Sequence, residues 1–131
     1  MQQRKNAAKG SHFVFAVFER KSGSYVGQID LFSINRQLRW GNLGYCIQNQ
    51  YWNLGYATEA CLSGMRIAFK ELGYHRVEAA MELVNKASIR VAMKIGMTRE
   101  GVRRKFFFDN GGVDMLVYST NSIDWRLQRI G

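Results

Sequence analysis

The feature that most constrains the fold is a change of hydrophobic period between residues 43 and 72. Leu43-Gly44-Tyr45-Cys46-Ile47 is a short apolar run that reads as a strand. From Tyr56 the spacing becomes helical, with Ala57, Ala60, Cys61, Gly64, Met65, Ala68 and Leu72 on one face and Gly73 as the stop. Between them lies the loop Gln48 to Gly55. A strand, a loop with a glycine and a helix opening on small residues together form a ready site for an anion. Glycine lets the backbone approach a ligand, and the first N–H groups of the helix point at it from the positive end of the dipole. A plain strand-to-helix connection explains the same pattern, since one glycine is far weaker than a full phosphate fingerprint.

The rest of the chain builds a sheet around that unit. Met1 to Ser11 reads as part of a flexible leader over residues 1–12, and residues 13–131 as a single domain. Phe13 to Phe18 and Tyr25 to Phe32 predict a hairpin about a turn at Glu19 to Ser24. Asn35 to Trp40 is a polar connection into the third strand, which ends at Ile47. His75 to Glu82 predicts a fourth strand, Lys86 to Ile95 a second helix closed by Gly96, and Thr98 to Phe108 and Val113 to Thr120 a final hairpin. Asp109-Asn110-Gly111-Gly112 is its turn signal. The polar tail from Asn121 to Gly131 suits a last helical turn. The expected class is α/β of the α+β type: a mixed, mostly antiparallel twisted sheet with two main helices packed on it.

With 131 residues, 47% of them hydrophobic, the chain can bury one core without staples. It contains no proline, so its 13 glycines supply the breaks. Cys46 and Cys61, in a strand and a helix, suggest buried free thiols in a reducing compartment. The polar start is no signal peptide and no apolar run has the length of a membrane span, which makes cytoplasm the default and excludes membrane partners. A net charge of +9, from 19 Lys and Arg against 10 Asp and Glu, favours an anionic partner or serves solubility.

Candidate chemistry gathers on the second helix. Lys86, Arg90 and Lys94 form a cationic row at intervals of four, either a solvated face or one that meets an anion. Asn85 is placed to cap this helix or to hold a cofactor amide. Ser88 can cap as well, or give a hydroxyl to a leaving group. His12 and His75 lack a nucleophile and carboxylate at telling spacing, and scattered Cys and His make no metal site. Arg99, Arg103, Arg104 and Lys105 before Phe106-Phe107-Phe108 fit a basic strand face, or nucleic-acid binding by charge and stacking.

Gly44-Tyr45, the run Tyr51-Trp52-Asn53-Leu54-Gly55-Tyr56-Ala57-Thr58-Glu59-Ala60, Asn85 to Met97, Glu100-Gly101, Arg103 and Asp114 to Tyr118 together resemble the GNAT N-acetyltransferase superfamily, in its ribosomal-protein alanine N-acetyltransferase branch. The resemblance runs from Phe13 to Tyr118. It implies that acetyl-CoA binds in a V opened between the third and fourth strands. Backbone groups near Cys46 and Ile47 would meet the pantetheine arm, and the N–H groups of Asn53, Leu54, Gly55, Tyr56, Ala57 and Thr58 the pyrophosphate. Asn85 and Arg90 would also contact the cofactor. Acetyl would pass directly to an amine, with Ser88 serving the departing thiolate. The chain departs from the family pattern in carrying Trp52 three residues before the loop glycine, Ala92 where many members have a tyrosine, and Asn42 where a carboxylate is common. Glu82 or bulk water then takes the amine proton. Only about a dozen polar residues stand where members usually have a strand and one or two helices.

The function expected is acetyl transfer from acetyl-CoA to a primary amine, either a small amine or a protein N-terminus such as that of a ribosomal protein. The reading leaves room for ribosome association and for a homodimer. Two alternatives stand beside it. One is a module that binds acetyl-CoA without turnover. The other is a basic nucleic-acid- or ribosome-binding domain using Arg103, Arg104 and Lys105.

Overall fold

The computed structural model describes residues 2–5, 12–107 and 112–130. Seven strands form one sheet: β1 (Gln2–Lys5), β2 (His12–Phe18), β3 (Tyr25–Asn35), β4 (Trp40–Ile47), β5 (Arg76–Glu82), β6 (Thr98–Phe107) and β7 (Val113–Asn121). Their order is β1-β2-β3-β4-β5-β7-β6. Every neighbouring pair is antiparallel except β4 and β5, which run parallel. A parallel pair needs a crossover, and helix α1 (Tyr56–Arg66) supplies it. Helix α2 (Lys86–Lys94) follows β5, and α3 (Ser122–Ile130) follows β7. The expected mixed, mostly antiparallel sheet with helices packed on it is the fold of this chain.

Strand alternation decides which face is covered. Phe13 and Phe15 of β2, Ile29 and Leu31 of β3, Leu43 of β4, Val77 and Met81 of β5, and Leu116 and Tyr118 of β7 point to one side. There they pack with Ala60, Cys61, Met65 and Ala68 of α1, Ala92 of α2 and Trp125 of α3. Gly64 lets α1 sit close, because a Cβ there would lie 3.1 Å from Ile29 and 3.2 Å from Leu43. At about 25 cal/mol per Å2 of apolar area, sealing such a face is the main favourable term of the fold.

Several expectations change in the structure. Gln2–Lys5, read as leader, pairs with Phe13 to Ala16 as an edge strand. Its sequence carries no apolar alternation that would signal a strand. The other residues of that leader before His12 lie outside the described residues, as do Phe108 to Gly111 of the hairpin turn and Gly131 of the tail. β3 runs three residues beyond Phe32 with a bulge between Ser33 and Asn35, and β4 takes in Trp40 from the polar connection. The first helix does not stay α-helical to Leu72; a π turn occupies Ile67–Glu71. The tail forms a nine-residue helix anchored by buried Trp125. Both cysteines are free, but only Cys61 is buried, since Cys46 alternates to the side of β4 away from the helices.

Candidate cofactor and transfer site

The third and fourth expected strands are β4 and β5, and they part as they run. They pair only through Trp40↔Arg76, Gly41↔Val77 and Asn42↔Glu78. Beyond Asn42, β4 continues along β3 and β5 along β7, so a wedge opens inside the sheet. A cavity of about 560 Å3 fills the open end. Tyr45, Cys46 and Ile47 of β4 form one wall, the loop before α1 and its first turn a second, and α2 the third.

The loop is shaped by left-handed backbone. Asn53 has φ 63° and Gly55 φ 85°, conformations that Asn tolerates and Gly adopts freely. The first i to i−4 bond of α1 runs from Glu59 N–H to the Gly55 carbonyl at 3.0 Å. The N–H groups of Tyr56, Ala57 and Thr58 therefore precede the helical ladder, and no side chain caps them. The indole N–H of Trp52 donates to the Ile47 carbonyl at 2.7 Å and ties the loop back to the strand end. That carbonyl is thus already engaged. Tyr56 O–H donates to the Glu19 carboxylate, which fastens the β2–β3 turn to the start of α1.

Helix α2 meets the cavity differently. The Asn85 side-chain oxygen accepts the Ser88 N–H at 3.1 Å, so Asn85 caps its helix, the ordinary role expected for it. The Ser88 hydroxyl then lies 2.9 Å from the Tyr45 hydroxyl across the wedge. Burial pushes the Tyr45 phenol above its ordinary pKa, opposed by the Ser88 hydrogen bond and slightly reinforced by Cys61. Tyr45 therefore stays a neutral O–H donor at neutral pH. Two hydroxyls bonded to each other use one proton between them and leave the second for another acceptor. Arg90 and Lys94 line the same cavity and add positive charge where two helix N-termini converge.

Of the sequence-derived candidates, Cys46, Ile47, Asn53, Gly55, Tyr56, Ala57, Thr58, Asn85, Ser88 and Arg90 all line the cavity. Leu54 is 63% exposed and is not on the wall. Glu82 ends β5 exposed and off the wall, and Lys86 of the cationic row is likewise absent from it. Lys94 of that row lies on the wall beside Arg90, and Tyr45, which had no role assigned to it, was the residue missed. Tyr45 could have been found by extending the Leu43–Ile47 alternation, which puts it on the face turned toward the helices.

The basic segment before the last turn is built into the sheet. Arg103 reaches the Glu78 carboxylate at 2.6 Å, and Arg76 bridges Glu78 at 2.9 Å and Glu100 at 2.7 Å. Glu78 is 2% exposed, so these guanidiniums neutralise a buried charge. Lys105 has its N–H on Asp114 at 2.9 Å. The side chains of Phe106, Phe107 and Phe108 lie outside the described residues. Among the described residues no cluster of His, Cys, Asp or Glu could hold a metal, and no helix is long and apolar enough to cross a membrane.

Residues 1–98 match the family described as the acetyltransferase (GNAT) domain. The chain is 30% identical over 106 residues to the uncharacterized N-acetyltransferase YoaA of Bacillus subtilis, covering 80% of this chain and 60% of that protein. It is 32% identical over 105 residues to the putative ribosomal N-acetyltransferase YdaF of the same organism, covering 79% and 57%. The crystal structure of ribosomal-protein-S5-alanine acetyltransferase from Vibrio fischeri superposes with a TM-score of 0.78 at 25% identity, over 87% of this chain and 63% of that one. The chain thus spans less than two thirds of the length of each of these relatives.

Proposed function

The chain belongs to the GNAT acetyltransferase family, and from that premise we propose that it transfers acetyl from acetyl-CoA directly to a primary amine. The observation that carries this reading is the pairing, across one cavity, of an uncapped helix N-terminus behind Gly55 with the Ser88–Tyr45 hydroxyl pair. Main-chain N–H groups from Asn53 to Thr58, with Leu54 contributing only its peptide, suit the pyrophosphate, and Arg90 adds charge. The Cys46 strand edge suits the pantetheine arm, and Asn85 orients Ser88 while bordering the same space.

In the proposed step the amine nitrogen attacks the thioester carbonyl, the C–N bond forms and the C–S bond breaks. The departing thiolate takes the Ser88 hydroxyl proton, Tyr45 passes its own proton to Ser88 through their hydrogen bond, and solvent reprotonates Tyr45. The proton lost by the amine passes to solvent, because Glu82 stands off the cavity wall. The names of the ribosomal relatives support a protein N-terminal amine as acceptor, and acetyl-CoA as the donor follows from the family.

A second reading, acetyl-CoA binding without turnover, is favoured by one observation: among the described residues no carboxylate lines the cavity. Calorimetric titration with acetyl-CoA and with CoA, followed by turnover assays on N-terminal peptides and small amines, tests both. Saturable binding with turnover supports the transferase, and binding without turnover on any amine supports the module. A folded chain that binds neither nucleotide sinks both.

A further inference from the structure

The wedge between β4 and β5 has a closed end as well as an open one, and the closed end carries a second cavity of about 230 Å3. It shares no lining residue with the first. Phe13 of β2, Ser33 of β3, Arg36 and Arg39 of the β3–β4 turn, and Leu72 and Tyr74 beyond the π turn surround it.

Three features make this a built site. Tyr74 is 7% exposed and its ring packs directly on Gly41, where no side chain would fit. Its hydroxyl lies 2.9 Å from the Ser33 hydroxyl, so the pair again has one proton to spare for an outside acceptor. Arg39 is held at φ 52°, a left-handed conformation unusual for an L residue, while its carbonyl accepts the N–H groups of His75 at 2.7 Å and Arg76 at 3.2 Å. Strained backbone that its surroundings over-determine is a mark of functional positions. Among the described residues the cavity thus has two arginines at its rim, no lining carboxylate, a buried hydroxyl donor and an apolar side from Phe13 and Leu72.

We propose that this closed-end cavity binds a small organic carboxylate, with the oxyanion on the Arg39 guanidinium and the hydroxyl pair and the apolar body against Phe13 and Leu72. A guanidinium fork matches a carboxylate with two parallel bonds, and the apolar wall selects against a bare inorganic anion. The site stands independently of acetyl transfer.

The test is an amide NMR titration of the full chain with benzoate, benzyl alcohol and inorganic phosphate, each with and without saturating CoA. The expected result is saturable benzoate shifts at Ser33, Arg39, Leu72 and Tyr74 that CoA leaves in place. Arg39→Gly, which keeps the left-handed backbone and removes the guanidinium, should weaken benzoate about tenfold, as expected for loss of one charge-assisted contact. Tyr74→Phe should weaken it less. No saturable shift at these amides, an equal response to benzyl alcohol or to phosphate, or undiminished binding by Arg39→Gly overturns the proposal. Because the readout is residue by residue, a chain that fails to bind CoA still answers the question.

Discussion

Strands β4 and β5 each hand the chain to a helix whose first turn faces the same cavity, and the two junctions treat their free N–H groups in opposite ways. At α2, Asn85 folds its own side chain over the Ser88 N–H, so the helix start is satisfied from within. At α1, Gly55 contributes no side chain and its left-handed backbone leaves Tyr56, Ala57 and Thr58 uncapped. A cap contributes about 1 kcal/mol to a helix. Forgoing one beside a cavity leaves that capacity for an external anion, whereas using one frees Ser88 to present its hydroxyl in a fixed place. The difference teaches that the same strand–helix joint serves binding when left open and positioning when closed.

The largest effect should come from putting a charge into the open junction. Gly55→Glu should weaken acetyl-CoA binding by about 100-fold or more, because like charges set against each other at a binding site cost several kcal/mol. Gly55→Asn, which accepts the left-handed backbone, should keep most of the affinity in the same calorimetric titration. Unchanged binding by Gly55→Glu would break the contrast between the junctions.

Next in size is the hydroxyl at the closed junction. Ser88→Ala should lower kcat about 100-fold, the range of a lost proton donor, with little change in acetyl-CoA Kd. A loss confined to Kd would place Ser88 in binding instead.

Removing the cap should act on stability. Asn85→Ala should cost about 1 kcal/mol and lower Tm by roughly 3–5 °C in a calorimetric scan. An unchanged Tm would remove the Asn85 cap from the account.

The smallest effect concerns the tie from the β2–β3 turn to α1. Hydrogen bonds from Ser22 and from Tyr56 hold the Glu19 carboxyl below its ordinary value of 4.5, and the same contact holds Tyr56 above 10.0. A depressed carboxyl stabilises the fold above pH 4.5 and loses that contribution as pH falls through the folded value. A raised phenol contributes below pH 10 and loses that contribution as pH rises through its own folded value. The Tm difference between the native chain and Tyr56→Phe should therefore be flat between these limits and shrink outside them. A difference unaffected by acid would remove Glu19 from the account.

Much of this molecule was legible in the chain because its signals are local. The starts of α1 at Tyr56 and α2 at Lys86 followed from period and punctuation, and so did the Gly55 loop. What could not be read depends on residues distant in sequence. Nothing near Tyr45 announces that its hydroxyl meets Ser88, 43 residues on. Arg103 looked like a basic surface until β6 and β5 brought it to buried Glu78. Gln2–Lys5 shows no apolar alternation, yet it pairs with Phe13 to Ala16. The π turn at Ile67–Glu71 escaped because a widened turn leaves the residue types of the helix unaltered.

The short parallel ladder has one more consequence. With only three residue pairs between β4 and β5, the sheet is joined at its middle by a short ladder, with β1 to β4 and α1 on one leaf and β5 to β7 and α2 on the other. Such leaves can open as separate cooperative units, with amides at the joint exchanging through smaller fluctuations than those deep in either leaf. A molecule seated in the wedge touches both leaves and acts as their clasp, so the amides of residues 40–42 and 76–78 should exchange more slowly when it is present.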